Sequence, residues 1–416
     1  YNSGLNTAVI PQEINIIAMR KIIALSVIFL CAVSPAFCTT IAPESYNWVW
    51  NVVAVPPPGG WNTEPGISIN RALTWCEREI SESSNGIAGH DVVFRRLNVS
   101  GDVESFRVLD LNTDSRTIAV MSFAELSELD TVLVSRLSGS NIPLMLARGE
   151  SVQLLRGGRP AANVFALDMF RDYRASAFAQ YATKIYNRGK RIALAASRFT
   201  VNQEREAGIC YELLERAGFM PMPYWTDASV KDSYYMLSEE IESYEGEEAG
   251  IVISFLGSMG AREIWRNFMR LKTSWKLWNC AEPNNAYLSC RGMMFADQNI
   301  QLSTLGGFIN IKRMLLMTRA IQVEDYVAAG RVITLYEWLK GAVEMMPQPV
   351  DTLPRNLLLR NLANVKNIPF GNQILNIAPN LHRPEARDVY IVEVRDREYS
   401  EVDLVRVNGL IYVPAY

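Results

Sequence analysis

The sequence predicts an α/β protein with two doubly wound parallel-sheet lobes. Short apolar runs alternate with amphipathic helical patterns along most of the 416 residues, which is typical of parallel sheets covered by helices on both faces. The alternation falls into two blocks, because the apolar segments 164–167 and 292–296 each have the character of a crossing between blocks. At about 100–200 residues per domain, the length also favours two domains.

Each block has its own succession of strands and helices. In the first block the predicted strands are 47–55, 91–97, 117–121 and 144–147, with helices at 66–80 and 122–137. In the second block the predicted helices are 172–187, 202–217, 234–244 and 261–271, and the predicted strands are 191–196, 220–225, 250–255 and 276–278. A mostly helical stretch at 308–346, a β-hairpin formed by 389–394 and 404–407, and a last apolar run at 410–413 follow.

Residues 19–38 have the pattern of a secretory signal peptide. Met19 precedes two basic residues, an apolar run at 22–33 and a stretch of small residues. The run is shorter than the roughly 20 apolar residues that span a bilayer, and a buried N-terminal helix is the alternative. Residues 1–18 precede the candidate start and are left out of the fold prediction. We therefore expect a periplasmic or otherwise extracytoplasmic protein, without a lipid anchor at Cys38, which has no good lipobox.

In an oxidising compartment, the cysteines leave one local disulfide open. Cys76 and Cys210 lie in amphipathic helical patterns, where a buried thiol is the usual arrangement. Cys280 and Cys290 flank a turn at 283–285, so a local disulfide and two separate thiols are both open alternatives. Their spacing does not match a zinc site of the C-x-x-C kind.

Composition and motifs argue against several kinds of chemistry. The net charge is −3, with 41 basic and 44 acidic residues and no block of like charges, so we expect no nucleic-acid partner. His90 and His382 have no neighbouring partner that indicates a triad or a metal site. Neither block has a glycine-rich nucleotide loop, and the loop 257–260 lacks the spacing of a nucleophile elbow. We expect no cofactor and no enzymatic activity.

Several short motifs appear in a characteristic order. They are the turn 55–59 followed by Gly66 at a helix start, the sequence NGIAG at 85–89 before the second strand, Ile142-Pro143 before the fourth strand, IPF at 368–370, the loop 382–384 and the strand 389–394. This order resembles type I periplasmic binding proteins of the leucine/isoleucine/valine-binding kind, over nearly all of the chain after residue 40. The resemblance implies hinge crossings near 163–167, 291–295 and 378–387. It also implies an N-terminal lobe of residues 41–163 and 296–378 and a C-terminal lobe of residues 164–295 and 379–416.

The resemblance implies ligand-binding positions in the first lobe. A hydroxyl at the start of the helix after strand three falls on Ser127, or on Ser122 if the loop is displaced, and a helix N-terminus suits a carboxylate ligand. A plain N-cap serine is the alternative. After strand four the chain has Arg148, Gly149 and Glu150 where the family has backbone contacts and a threonine. This departure disfavours branched-chain specificity, and the charged pair either recognises a more polar solute or faces water.

Further positions follow from the same resemblance. Trp61 is expected to wall the cleft. In the second lobe, the implied ligand-binding residues are Arg198, Phe199, Thr200, Phe255, Gly257 and Glu282. Glu282 corresponds to a family acidic residue that pairs with the ligand's ammonium, and the alternative is a solvated loop residue. Gly330-Arg331 stands where the family has a Tyr-Asp pair opening a helix, which indicates a rebuilt pocket.

These observations together predict a solute-binding protein. We expect the extracytoplasmic component of an ABC importer, which traps an amino acid or a similar small polar solute between its lobes and presents the closed state to a membrane permease. We expect a monomer. A ligand-sensing receptor domain of the same fold is the main alternative. An exported α/β enzyme is disfavoured because no nucleophile, base and acid form a credible set.

Overall fold

A computed structural model of the chain shows which predicted elements form. It describes residues 49–82, 86–98, 116–124, 133, 137, 141–148, 155–156, 159–169, 173–198, 201–227, 232–243, 250–299, 323–347, 353–371 and 373–408. The proposed signal peptide at 19–38, the upstream residues 1–18 and the last predicted run at 410–413 lie outside these ranges.

A parallel sheet organises the first lobe. The elements are β1 (Trp50–Val55), α1 (Glu64–Glu82), β2 (Val92–Arg96), β3 (Thr117–Ser122), β4 (Leu144–Leu146), β5 (Leu155–Arg156), β6 (Arg159–Pro160) and β7 (Val164–Ala166). The sheet has the order β2-β1-β3-β4-β7, and its neighbouring strands are parallel. The side chains of β3 and β4 are buried throughout, as expected for strands covered on both faces.

The second lobe is built around a longer sheet. Its elements are α2 (Tyr173–Ile185), β8 (Arg191–Ser197), α3 (Val201–Arg216), β9 (Met220–Thr226), α4 (Ser233–Ser243), β10 (Ile251–Ser254), α5 (Ser258–Leu271), β11 (Lys276–Asn279), a 3₁₀ turn (Asn285–Tyr287) and β12 (Met294–Asp297). The remaining described elements are α6 (Val323–Glu344), α7 (Arg355–Leu362), β13 (Ile368–Phe370), β14 (Gln373–Leu375), β15 (Ile377–Ala378), β16 (Arg383–Pro384), β17 (Ala386–Arg395) and β18 (Glu398–Asn408). The strand order is β18-β17-β12-β11-β10-β8-β9, antiparallel only where β17 joins β12 and β18.

Alternate residues of the second sheet enter two separate hydrophobic cores. Ile192 and Leu194 of β8 pack with α2 and α3 on one face. Ala193 and Ala195 pack with α4 and α5 on the other face. This period-2 division shows helices on both faces of the sheet, which is the doubly wound arrangement that the sequence predicted.

The chain passes between the lobes at neighbouring segments. It leaves the first sheet after β7, leaves the second sheet after β12, and joins the second sheet again at β17. We call residues 167–169, 298–299 and 383–387 the first, second and third crossings. The crossings lie side by side, since the Arg387 guanidinium of the third crossing donates to the carbonyl of Leu167 in the first crossing at 3.3 Å and to that of Gln298 in the second crossing at 2.9 Å. Helix α6 lies against α1 and therefore belongs to the first lobe.

Two segments next to the crossings are strands of the sheets. β7 pairs with β4, so 164–166 extend the first sheet. Likewise, 296–297 belong to β12 of the second sheet. The predicted division of the chain into lobes stays a prediction.

The structure contradicts a disulfide between Cys280 and Cys290, because the two cysteines are not bonded. Cys280 packs in the core on the α2 and α3 face, beside Trp278. Cys290 packs in the core on the α4 and α5 face, with Tyr287 and Phe295. The turn between them is present, but it delivers the two side chains to opposite faces of the sheet. Within the described ranges, no helix has the length and apolar content needed to cross a membrane.

Gly66 permits a close approach between α1 and the preceding loop. A Cβ at this position would lie 2.3 Å from the carbonyl oxygen of Gly60 and 2.8 Å from the Cα of Trp61. The loop is held in addition by Thr63, whose hydroxyl donates to the Gly60 carbonyl at 2.8 Å and accepts from the Gly66 N–H at 3.3 Å. Backbone atoms cannot yield as a flexible side chain can, so the contact fixes where Trp61 lies.

We expect Gly66→Ala to lower the free energy of unfolding by about 1–3 kcal/mol, because the added methyl group overlaps backbone atoms. Gly208→Ala in α3 is the matched control, since a Cβ there meets nothing within 4 Å. It should raise stability by roughly 0.5–1 kcal/mol through helix propensity alone. Denaturant unfolding measures both changes, and a stabilising Gly66→Ala would refute the close approach.

Candidate functional site

The carboxyl ends of the two sheets meet at an ion pair. Arg148 follows β4 of the first lobe, and Glu282 follows β11 of the second lobe. An Nη2 atom of Arg148 lies 3.3 Å from an Oε2 atom of Glu282. Their side chains are 27% and 26% exposed, so the pair lies at an accessible edge rather than in the core. The structure thus brings together two residues that the sequence analysis assigned to the ligand site.

Arg331 of α6 engages the same carboxylate from the first lobe. Its Nη2 donates to Oε1 of Glu282 at 3.1 Å. Burial alone would raise the pKa of the Glu282 carboxyl, but the nearby guanidinium groups of Arg148 and Arg331 outweigh burial and hold its pKa at about 2. Glu282 is therefore ionised at neutral pH and has an arginine on each oxygen.

Asp168 of the first crossing is the buried centre of the site. Its side chain is 0% exposed and accepts from Nη2 of Arg331 at 2.9 Å. Nη1 of Arg387 lies 3.5 Å from the other carboxylate oxygen, which also accepts from Nδ2 of Asn299 at 3.2 Å. Arg331, Asn299 and Arg387 come from α6, from the second crossing and from the third crossing. One carboxylate thus joins all the described crossings.

Arg387 also binds backbone atoms of two crossings. Its guanidinium donates to the carbonyls of Leu167 at 3.3 Å and Gln298 at 2.9 Å, and to the amide oxygen of Asn299 at 3.0 Å. The ring of Phe370 lies 4.1 Å from the guanidinium carbon. Burial lowers the pKa of Arg387 to about 10, which leaves the group charged at neutral pH.

A second buried acid lies at the end of β12. Asp297 accepts from the hydroxyl of Tyr173 at 3.1 Å and from Nη2 of Arg174 at 3.3 Å. Its other oxygen accepts from the N–H of Asn299 at 2.7 Å. Burial raises the pKa of Asp297, and Arg174 opposes this effect in part. We call the charged groups of this region the interlobe cluster, which comprises Asp168, Glu282 and Asp297 with Arg148, Arg174, Arg331, Arg383 and Arg387.

The other predicted first-lobe residues make contacts within their own lobe. Trp61 lies at the carboxyl edge of the first sheet, where its Nε1 donates to the carbonyl of Leu97 at 2.7 Å. Ser122 ends β3 and is buried, and its hydroxyl accepts from the N–H of Ala124 at 3.3 Å. This contact is a local turn, and whether Ser122 also binds a ligand stays a prediction. Ser127, Gly149 and Glu150 lie outside the described residues.

The remaining second-lobe residues are spread along the carboxyl edge of its sheet. Arg198 is exposed after β8, with its guanidinium carbon 5.2 Å from the ring centroid of Trp225. Phe255 is buried in the core after β10. Gly257 precedes the first turn of α5, and its carbonyl accepts from the N–H of Ala261 at 3.1 Å. Phe199 and Thr200 lie outside the described ranges, and whether any of these residues binds a ligand stays a prediction.

Sequence reasoning missed the buried members of the interlobe cluster. Asp168 lies immediately after one predicted crossing, and Arg387 is the last residue of another. An acid and a base at the ends of two predicted crossings are a usable signal, because a charge that becomes buried between lobes needs a partner. Asp297 and Asn299 likewise lie just after the remaining predicted crossing, 291–295.

Both histidines have structural surroundings. Nδ1 of His382 lies 3.0 Å from the carbonyl of Val164, and its ring stacks on Phe165 at 4.6 Å between centroids. Burial lowers the pKa of His382. His90 meets Trp50 edge-on at 5.4 Å between centroids. In the part of the chain that the structure describes, no group of His, Cys, Asp and Glu residues is arranged to hold a metal ion.

Comparison with known proteins identifies the fold. No family model and no curated protein sequence matches this chain. Among solved structures, an ABC transporter substrate-binding protein from Sphaerobacter thermophilus is similar at a TM-score of 0.68 and 16% identity, with 87% of this chain and 98% of that chain covered. An ABC transporter solute-binding protein from R. palustris in complex with benzoate is similar at a TM-score of 0.63 and 15% identity, with 86% of this chain and 96% of that chain covered. A leucine-binding protein from Thermotoga maritima is similar at a TM-score of 0.63 and 11% identity, with 86% of this chain and 98% of that chain covered. The chain has the type I periplasmic-binding-protein fold, as the sequence predicted.

We expect Asp168→Asn to lower the free energy of unfolding by about 3–5 kcal/mol, because the variant leaves Arg331 and Arg387 buried without their shared counter-charge. Glu212→Gln is the control, since it removes an exposed ion pair with Arg216 within one helix and should cost about 0–1 kcal/mol. Denaturant unfolding of both variants measures the difference. An equal loss of unfolding free energy in the two variants would show that Asp168 does not hold the crossings together.

The ion pairs of Glu282 predict a specific pH dependence. Its folded-state pKa of about 2 lies below the value of about 4.3 in an unfolded chain. The contribution of the Glu282 ion pairs to the free energy of unfolding is therefore complete above about pH 5 and is lost as the pH falls towards 2. The stability advantage of the native protein over Glu282→Gln should be at most about 3 kcal/mol near neutral pH. It should shrink on acidification.

Unfolding measured for both proteins at several pH values between about 7 and 3 checks this prediction. Asp297, whose pKa is raised by burial and in part by the charge of Glu282, contributes in the opposite sense, and its contribution is smaller in Glu282→Gln because the variant removes that charge. A difference that stays constant over this range would contradict the assigned ion pairs.

Proposed function

We propose that this protein is an extracytoplasmic solute-binding protein that traps a small polar solute between its two lobes. The solute contacts the interlobe edge where Arg148 and Glu282 meet. Amino acids and other small carboxylic acids are the candidate solutes. Trp61, Arg198 and Gly257 are proposed to lie along the same opening, on the carboxyl edges of the two sheets.

The ion pair between Arg148 and Glu282 is the observation that carries this proposal. Open α/β sheets bind ligands beyond the carboxyl ends of their strands, and this pair lies where the carboxyl ends of both sheets meet. Each partner keeps about a quarter of its side chain exposed, whereas Asp168 behind them is fully buried. A small number of convergent polar or charged groups is typical of a small-molecule site.

Closure of the lobes is the proposed mechanism of trapping. The described crossing segments lie side by side, so they suit a hinge that changes a few backbone angles. A solute that contacts groups from both lobes binds the closed state more tightly than the open state. It therefore shifts the population towards closure by that difference in affinity.

The proposed partner is the membrane permease of an ABC importer. Two of the similar structures are described as substrate-binding or solute-binding proteins of ABC transporters, which supports this assignment. A permease that recognises the closed lobes would distinguish loaded from empty protein. The identity of the solute is independent of this step, since the permease reads the relative position of the lobes.

We expect at least one compound from a panel of amino acids and small carboxylic acids to raise the melting temperature of the protein. A solute at 100 times its dissociation constant should add about 2.7 kcal/mol to the free energy of unfolding. If a broad panel gives no shift with any compound, solute binding is refuted.

Closure is tested by a distance between fluorescent labels on the two lobes. Exposed positions are available at Arg78 in α1 and Arg216 in α3, and both are changed to cysteine for labelling. The bound solute should shorten this distance. A control pair within the second lobe, Arg216→Cys with Glu398→Cys, should not respond. Binding without a change between lobes would contradict closure while leaving the binding role intact.

A further inference from the structure

The carboxylates of the interlobe cluster are already occupied by arginines of the protein. Glu282 has Arg331 on one oxygen at 3.1 Å and Arg148 on the other at 3.3 Å. Asp168 pairs with Arg331 and Arg387, and Asp297 pairs with Arg174. A solute ammonium would therefore have to displace a guanidinium from any of these acids. The displaced guanidinium would then lose its counter-charge and lie beside the positive charge of the ammonium.

The interlobe cluster has an excess of positive charge. Among the described residues it contains five arginines and three carboxylates, so two positive charges are in excess. Arg383 is one of the five arginines, and its Nη1 donates to the backbone carbonyl of Asp168 at 3.3 Å. Burial strengthens the effect, since charges in a site with little water are poorly screened. An anion relieves this excess and a cation increases it.

Arg148 is the member best placed to exchange partners. It is the arginine of the cluster with the most exposed side chain that the ion pairs record, at 27%, against 6% for Arg331 and 0% for Arg387. A pair that is about a quarter exposed, with an N–O distance of 3.3 Å, is weak, whereas a guanidinium can bind a carboxylate with two parallel hydrogen bonds. When Arg148 turns away, Arg331 still neutralises Glu282.

We infer that the solute is a small carboxylate without an ammonium group, and that Arg148 leaves Glu282 to bind it. This inference rests on the proposed function and narrows its range of solutes. It reverses the role that the sequence resemblance implies for Glu282, which here holds arginines in place rather than a ligand ammonium. The benzoate bound to one of the similar structures is a carboxylate of this class.

Matched pairs of compounds test the inference directly. Each pair shares a side chain and differs in the ammonium group: 4-methylpentanoate with leucine, and 3-phenylpropanoate with phenylalanine. Benzoate with benzamide tests the need for the negative charge. Calorimetric titration of the full chain should give the acid of a pair at least tenfold tighter binding than its amino acid, and benzamide should bind at least tenfold more weakly than benzoate.

Variants separate the two roles of the charged residues. Arg148→Gln should weaken binding of the acid at least tenfold, whereas the control Arg216→Gln, on the outer surface of α3, should leave it unchanged. Glu282→Gln should tighten binding of the acid, because it removes the carboxylate that competes for Arg148. A site that holds a solute ammonium through Glu282 would instead lose binding in this variant.

The outcomes distinguish this inference from the proposed function. Tighter binding of amino acids than of their matched acids, or loss of binding in Glu282→Gln, would overturn the inference and leave solute binding intact. Binding of no compound in either half of the panel would overturn both. An acid that binds equally well to Arg148→Gln would show that another group holds the carboxylate and would also refute the exchange.

Discussion

A single buried carboxylate, that of Asp168, determines how the two lobes are joined. Removing such a group from water costs several kcal/mol unless charged partners and hydrogen bonds replace the water. Those partners come from separate segments: Arg331 from α6, Asn299 from the second crossing and Arg387 from the third. Asp168 is therefore satisfied only when the crossings are assembled together. Its contribution is specificity of arrangement more than net stability, because a buried ion pair rarely exceeds a well-packed apolar alternative.

Arg331 connects this buried centre to the accessible edge. One nitrogen of its guanidinium lies 2.9 Å from Asp168 and 3.1 Å from Glu282, so the same group serves the crossings and the loop after β11. Any change in the partners of Glu282 alters the ion pair between Glu282 and Arg331, and through Arg331 it alters the ion pair with Asp168. A solute that draws Arg148 away leaves Arg331 as the main counter-charge of Glu282. The proposed site and the proposed hinge are thus coupled by contiguous contacts rather than by distance alone.

The fold followed from the sequence because its signal is periodic and local. Apolar strands such as β1 and β3 and amphipathic helices such as α2 were recognised from patterns of a few residues each. The disulfide prediction was wrong because spacing around a turn does not reveal to which face each cysteine points. The buried charges were missed for a related reason. Asp168 and Arg387 interrupt the apolar pattern, and their pairing depends on a contact between residues far apart in sequence. Arg148 and Glu282 were each identified as site residues, but their ion pair across the lobes was not foreseen.

The charge of the proposed site depends on α6 as much as on the loops. The resemblance sets Gly330-Arg331 against a Tyr-Asp pair that opens a helix, but both residues lie inside α6 (Val323–Glu344), so the charge here depends on Arg331 itself. An acid at position 331 would repel both Asp168 and Glu282, and both would then require other cations. An arginine there satisfies the two acids together, with its side chain 6% exposed. Glu282 is then neutralised without a ligand cation, which supports the proposed preference for an anionic solute over one with an ammonium group.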